Sequence, residues 1–491
     1  MLSILGQAQY VDDALRYSQI YWQGTGRSMA TGSAFSALGA DFLTASTNPG
    51  GLGVYRNSDL SVTAEVFVNG VNSVYNGTTS DASKSMFDFS NIGYVMTKKI
   101  GKGGKGWLFY QVSFGMNRLN NYNGTVMMQG ENLENSRMDV YLEETLDMLD
   151  AGYNLSDIYS YSPFYLGPAW ETYLLDTIDY QGDLFLVSPV PPGGILQTQR
   201  IETKGSNNEY LAAFSANFND VLYIGATLGL PYIRYFRESV YTETDVADTI
   251  PDFNSWSVTE NLRTRGWGIN FKLGVIVRPV DWIRIGVALH TPTYYWSMRD
   301  TYSTNTYSDV VSLSTGIPFA GSDESPEGEF KYKFTTPMRA IGSLGFVINK
   351  IGFISAEYEY VNYSSSKFKA GGGDFNAEND KIKQDYKATH NFRFGTEWRI
   401  SNFSIRGGYA IYASPYANGL NDGARTNITA GLGYRIDKFA FDLAYVHSTS
   451  KSDYYMYSYD NPDLDIYIQP NAVENTIRKQ QFVLGFRYFF N

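Results

Sequence analysis

From residue 59 onward, apolar and polar positions alternate with a period of two, the pattern of strands whose two faces meet different surroundings. Leu60, Val62, Ala64, Val66 and Val68 alternate with Ser61, Thr63, Glu65 and Phe67. Trp267, Ile269, Phe271, Leu273, Val275 and Val277 alternate with Gly268, Asn270, Lys272 and Gly274. The last run sets Phe482, Leu484, Phe486, Tyr488 and Phe490 against Gln481, Gly485 and Arg487. Fourteen such strands are expected, at 59–75, 84–98, 106–118, 208–217, 220–238, 257–278, 282–304, 328–348, 351–365, 385–399, 402–413, 424–435, 438–449 and 475–490.

The connections sort by length. Short turns fall near 99–105, 219, 279–281, 349–350, 400–401 and 436–437, and long polar loops at 76–83, 119–207, 239–256, 305–327, 366–384, 414–423 and 450–474. Alternating tight turns and long loops are the mark of an outer-membrane barrel, with turns in the periplasm and loops outside. An even strand number places both ends of the barrel on the periplasmic side. A soluble sandwich would show the same alternation of residues but has no reason to sort its loops this way. The fold expected is therefore all-β: a 14-stranded antiparallel transmembrane β-barrel in the bacterial outer membrane.

One face of each strand is apolar; the other carries charge. Glu65, Glu357, Glu359, Arg393, Glu397, Arg406, Asp442 and Arg487 fall on the charged faces. Lipid-facing charge costs about 2–4 kcal/mol at the midplane, so these side chains are expected in the lumen as a polar cluster. Glu357 and Glu359 are two apart on one strand and face Arg393 on the next, which suggests structural ion pairing.

Two segments interrupt the strand pattern. Thr44–Tyr55, "TASTNPGGLGVY", places Pro49 and paired glycines just before the first strand, where neither a regular helix nor a central strand is allowed. It reads as a bend between a small-residue N-terminal plug and the barrel wall. The long loop 119–207 carries Met138, Tyr141, Leu142, Leu146 and Leu149 at helical spacing, with Ser136 and Asp139 as an acidic capping box. Tyr165–Tyr180 supplies a second amphipathic segment. These elements form either a landing site for an apolar ligand or a lid packed on itself.

Composition narrows the function. Aromatic residues make up 16% of the 491 residues and charged residues 18%, and no run approaches the roughly 18 apolar residues of a membrane helix. The tyrosine and tryptophan excess fits interfacial girdles. A net charge of −11 disfavours nucleic acid as a partner. With no Cys, there is no thiolate metal site. His290, His390 and His447 lie on different strands without ligand spacing, so neither metal nor cofactor is expected. "GKGGKG" at 101–106 joins two strands and reads as a basic turn, not a phosphate loop. No catalytic residues are expected. Residues 1–9 look like a signal-peptide remnant without its basic part, or a short tail; 10–58 read as the hatch, and 59–491 as the barrel with an extracellular insert at 119–207.

Four segments carry a family resemblance. Ala37–Thr63 resembles the hatch-to-first-strand segment of the FadL/OmpP1/TodX-type outer-membrane transport proteins, with Asn48-Pro49-Gly50 where that family has Asn-Pro-Ala. Gly286–Trp296, Thr335–Ser365 and Arg393–Pro415 resemble its mid-barrel strand, its Thr-Pro hairpin and its Arg-Gly-Gly-Tyr hairpin, in the family's order. The insert 119–207 has no counterpart in that pattern, and the hatch is similar in style to the Bacteroidetes branch. The resemblance implies passive uptake of hydrophobic molecules such as long-chain fatty acids, gated by a hatch that includes Asn48, Pro49 and Gly50. It also implies lateral release into the membrane where the third strand kinks, with Gly115 as the candidate; a glycine tolerated inside the strand is the other reading. The implied partners are outer-membrane lipid and a hydrophobic small molecule. The alternative is a plugged barrel serving as an accessory subunit of a secretion or assembly complex, with protein partners.

Overall fold

The computed structural model describes residues 4–101, 105–349, 351–370 and 375–490. Part of the basic turn 101–106 and the start of the N-terminal segment lie outside them, as does Lys350 of the turn 349–350. Among these residues fourteen antiparallel wall strands close on themselves, the first pairing with the last from Ser58↔Phe490 to Val74↔Glu474. In chain order the wall strands are Ser58–Tyr75, Thr78–Lys99, Trp107–Asn121 continued by Gly124–Asn132, Ile195–Phe218, Leu222–Thr244 and Phe253–Val280. Wall strand 7 is Ile283–His290 with Tyr294–Val311; strand 8 is Pro318–Glu324, Gly328–Thr335 and Arg339–Ile348; strand 9 is Gly352–Asn362 with Lys367–Ala370. Strands 10 to 14 are Ala388–Ile400, Phe403–Tyr412, Arg425–Ile436, Phe439–Tyr454 and Val473–Phe490. Closure leaves no free edge around most of the ring, which is what lets a sheet stand in lipid.

The alternation sorts as expected. Trp267, Ile269, Phe271 and Leu273 point outward and are exposed, whereas Asn270 and Lys272 between them are buried in the lumen. The outward apolar residues form a belt near the short turns. Beyond it several strands continue with polar residues on both faces. Expected loops are shortened accordingly: 76–83 is no loop but a two-residue turn at Asn76-Gly77, where φ is +46° and +81°. The insert expected at 119–207 shrinks to 133–194, because strand 3 extends through Asn132 and strand 4 starts at Ile195.

The insert folds into the open end opposite the turns. Ser136 caps the helix Arg137–Asp150: its Oγ accepts from Met138 N at 2.9 Å and its own N donates to Asp139 at 2.8 Å. Glu243 of wall strand 5 accepts bonds from Ser136 Oγ (2.6 Å), Arg137 N (3.0 Å), Trp256 Nε1 (2.6 Å), Tyr241 OH (2.6 Å) and Gln197 Nε2 (3.0 Å). Met138, Tyr141 and Met148 pack against Trp256, Val258 and Val473 of the wall, so the helix is a lid seated in the barrel end. Leu146, expected on the apolar face, is exposed. Tyr165–Tyr180 holds only the short helix Leu166–Glu171, with Pro168 inside it, and then enters a hairpin, Asp176–Tyr180 with Asp183–Val187.

Burial in this lid pushes the Glu144 carboxyl from 4.5 up to about 7; Arg137 opposes the rise and Asp147 adds to it. A folded-state pKa above the unfolded one stabilises the lid fully below about pH 4.5, and that contribution is lost as pH rises through 7. Hydrogen exchange across Arg137–Asp150, corrected for intrinsic rates, should therefore be faster at pH 8 than at pH 5.5. Glu144→Gln should remove the difference; equal rates in the parent protein would refute the assignment.

Candidate functional site: a plugged lumen and a seam in its wall

The N-terminal segment fills the lumen. The helix Ile4–Ser18 runs across the boundary expected at residues 9 and 10 and packs Val11, Ala14, Leu15 and Tyr17 against Tyr235, Leu262, Tyr295 and Phe334 of the wall. From Trp22 to Gly53 every residue is buried except the partly buried Arg27 and Ala40. Small residues dominate because the segment must thread a barrel already lined with side chains.

Asn48, Pro49 and Gly50 lie where the plug presses on three glycines of the wall. Asn48 Oδ1 accepts from Gly50 N at 3.1 Å, and its Nδ2 donates to Ser36 O at 2.8 Å and to Val275 O at 3.2 Å. Pro49 then opens a 3-10 turn through Val54 that leads to the first wall strand. Three wall glycines make the floor: a Cβ on Gly225 would strike Pro49 O, one on Gly274 would strike Asn48 Oδ1, and one on Gly286 would lie 3.0 Å from Asn48 Nδ2. The bend expected from the sequence is thus a plug element pressed flat on the wall.

The eight charged residues named from the sequence are all buried, and they separate into three groups. Arg393 Nε donates to Glu357 (3.0 Å) and its Nη1 to Glu359 (3.2 Å). Glu359 also accepts from Arg339 Nη1 (2.9 Å) and from Trp22 Nε1 of the plug (2.9 Å), while Glu357 accepts from Ser36 N (3.0 Å). Nearer the turns, Glu397 accepts from Arg406 Nε (2.7 Å) and from Arg27 of the plug at 2.7 and 2.9 Å; Arg406 also reaches Asp442 (2.7 Å), which Arg487 approaches at 3.2 Å. Glu65 stands apart, accepting from Gln481 at 3.1 Å with Arg118 3.6 Å away. The wall charges therefore hold the plug as well as one another. Arg27, Trp22 and Arg339 were not foreseen, since nothing in the sequence pairs them with their partners. His290 Nε2 bonds Thr47 O at 2.8 Å, another wall-to-plug contact.

The kink or bulge expected at Gly115 is absent. Gly115 pairs in unbroken register with Gly93 and Leu211. Its lack of a side chain, like that of Gly93, makes room for the ring of Phe42 from the plug. Strand 3 shifts register against strand 4 at two other places, between Trp107 and Phe109 and between Arg118 and Asn120.

Beside Arg118 the backbone ladder between strands 2 and 3 ends, and the extension Gly124–Asn132 meets strand 1 and its turn through side chains, Asn69 Nδ2 on Asn123 O (3.3 Å) and Asn76 Nδ2 on Glu131 O (2.7 Å). Strands 2 and 3 pair only from Asn91↔Asn117 to Lys99↔Phe109; among the described residues, Thr78–Phe89 of strand 2 has a backbone partner only in strand 1, and no residue of that stretch is fully buried. Side chains bridge this seam: Arg118 Nη2 donates to Asp88 at 2.7 Å, and Lys84 Nζ to Glu202 of strand 4 at 2.7 Å. Phe87 and Phe89 face outward beside it and are exposed. On its inner side lies the plug, with Tyr21 N on Leu119 O (2.9 Å), Gln23 N on Arg118 O (3.3 Å) and Ser90 Oγ on Gly24 O (3.2 Å).

Three solved structures share this fold along nearly the whole chain. The Pseudomonas putida toluene transporter TodX superposes with a TM-score of 0.55 at 11% identity, covering 94% of this chain and 98% of its own. A Pseudomonas aeruginosa FadL homologue gives 0.53 at 14%, covering 96% and 99%. The CymD monoaromatic hydrocarbon channel gives 0.51 at 12%, covering 96% and 98%. The chain has the fold of these channels. No protein-family model and no curated protein sequence matches it. At such identities the FadL-type fold alone is what is shared.

Proposed function

We propose that this FadL-type barrel is an outer-membrane passive transporter for hydrophobic small molecules, long-chain fatty acids or aromatic hydrocarbons among them, and not an enzyme. The observation that carries the reading is the end of the backbone ladder between strands 2 and 3 at Asn91↔Asn117, beside the exposed Phe87 and Phe89 and with a plug segment behind it. An apolar molecule in a water-filled pore forfeits about 0.8 kcal/mol of burial per methylene. A side exit into lipid avoids that loss. The lid end faces outward, the short turns and both ends of the barrel face the periplasm, and the plug including Asn48-Pro49-Gly50 acts as the hatch. Gly115 serves to seat Phe42, and the exit lies higher on strand 3, beside Arg118.

The test is uptake of a fluorescent fatty acid and of toluene by lipid vesicles carrying the purified protein. Lys84→Gln with Asp88→Asn removes the bridges across the seam. Partly exposed ion pairs contribute at most about 1 kcal/mol each, so uptake should rise roughly two- to fivefold. Uptake by the parent protein with no response to this variant would move the exit elsewhere. No uptake at all, with a stoichiometric protein partner retained on gentle purification, would favour the accessory-subunit reading.

A further inference from the structure

A second site lies at the turn end of the barrel, below the plug. It is a cavity of about 450 Å³ between the ends of strands 10 to 14 and the start of strand 1. Six arginines line it against three carboxylates, Asp59, Glu397 and Asp442. Arg56 is matched by Asp220 and buried Asp41 of the plug acts on Arg27 and Arg487, neither carboxylate being part of the lining, so one guanidinium charge remains in surplus. Glu397 alone serves three of the arginines, Arg27, Arg399 and Arg406. Among the described residues, Arg435 has no carboxylate within ion-pair distance. Arg487 is buried, and its Nε has no hydrogen-bond partner. The two guanidinium groups flank one ring: Arg435 Cζ is 4.4 Å and Arg487 Cζ 5.7 Å from the centroid of Phe489. A neighbouring cavity of about 220 Å³ shares Arg27 and Arg399, adds Arg284, and has no acidic lining residue.

Uncompensated charge of this kind is costly unless a counter-charge arrives. The guanidinium fork matches the geometry of phosphate oxygens and can bind two at once. We propose that the cavity is a binding site for a phosphate-type oxyanion, with Arg435 and Arg487 as the donors left open for it. Arg435 is exposed, so the anion can enter from the turn end without disturbing the plug. The phosphate is either free or the head of a lipid reaching the rim. The site needs no transport through the barrel, so its test is independent of the function proposed above.

The experiment titrates inorganic phosphate into the full-length protein in non-ionic detergent, at constant ionic strength set with chloride, and follows phosphorus-31 line width and heat. A second arm titrates short-chain phosphatidylglycerol with and without phosphate. Saturable one-to-one binding is expected. Arg435→Gln should weaken it at least tenfold, while Lys438→Gln, at a turn residue outside the cavity lining, should change it less than twofold. Since Arg435 is exposed, its variant should fold even where an Arg487 variant does not. Competition between phosphate and the lipid places the headgroup in this site; binding of phosphate without competition assigns it to the free anion. Binding that never saturates, or that Lys438→Gln weakens as much as Arg435→Gln, would overturn the proposal, because it would be diffuse attraction to a basic rim.

Discussion

Gly274→Val is expected to expel the plug while leaving the wall intact. The added Cβ would clash with Asn48 Oδ1 and lie 2.8 Å from the Pro49 ring. Neither neighbour can move aside cheaply. Asn48 is tied to Ser36, Val275 and Gly50, and Pro49 has a fixed φ. Overpacking alone costs about 1–3 kcal/mol, and here lost hydrogen bonds of buried groups add to it. The wall strand should tolerate the change, since valine is a favourable strand residue. In planar bilayers the variant should conduct ions where the parent is closed, and protease should cut between residues 26 and 54, with heat-modified gel mobility unchanged. Gly407→Val is the control, because the nearest atoms to a Cβ there are 3.9 Å away. An unaltered conductance in Gly274→Val would mean that the glycine floor does not seat the plug.

Arg393→Met should be the most destabilising single change in the lumen. Arg393 is about 1% exposed and answers two carboxylates that are equally buried. Removing one partner from a buried charge network typically costs about 3–5 kcal/mol, because the remaining charges stay in place without compensation. Glu359 keeps Arg339 and Trp22, whereas Glu357 keeps only Ser36 N among the plug and arginine contacts described above. The urea midpoint of the barrel should therefore fall, and Arg393→Met with Glu357→Gln should recover part of the loss. Arg393→Lys should also lose stability, since an ammonium cannot serve both carboxylates in the same plane. If the double variant is no better than the single one, the cost is packing and not charge.

The fourteen strands and their inward and outward faces were legible because lipid imposes a strict period of two. The same physics explains what was missed. Above the belt both strand faces are wet, the alternation fades, and strand extensions such as Gly124–Asn132 read as loop. Asn76-Gly77 is itself a strong signal for a two-residue hairpin turn, but its polar flanks hide the strands on either side of it. The pairing of Glu357 with Arg393 was readable from adjacent strands. Arg27 with Glu397 is not, since 370 positions separate them and only the plug's path joins them. Gly115 shows the limit most clearly. A strand glycine announces either a bulge or a close approach, and only the position of Phe42 decides between them.

The amides of Tyr21 and Gln23 rest on carbonyls at the point where strand 3 parts from strand 2. If the plug moves as the proposed hatch, plug and seam are two sites joined by one coupling free energy. By thermodynamic reciprocity, a molecule that binds better in the seam when the plug has shifted must ease the plug's shift by the same factor. If the barrel transports as proposed, no external energy source is needed to open it, since the cargo's own differential affinity for the two states would do it.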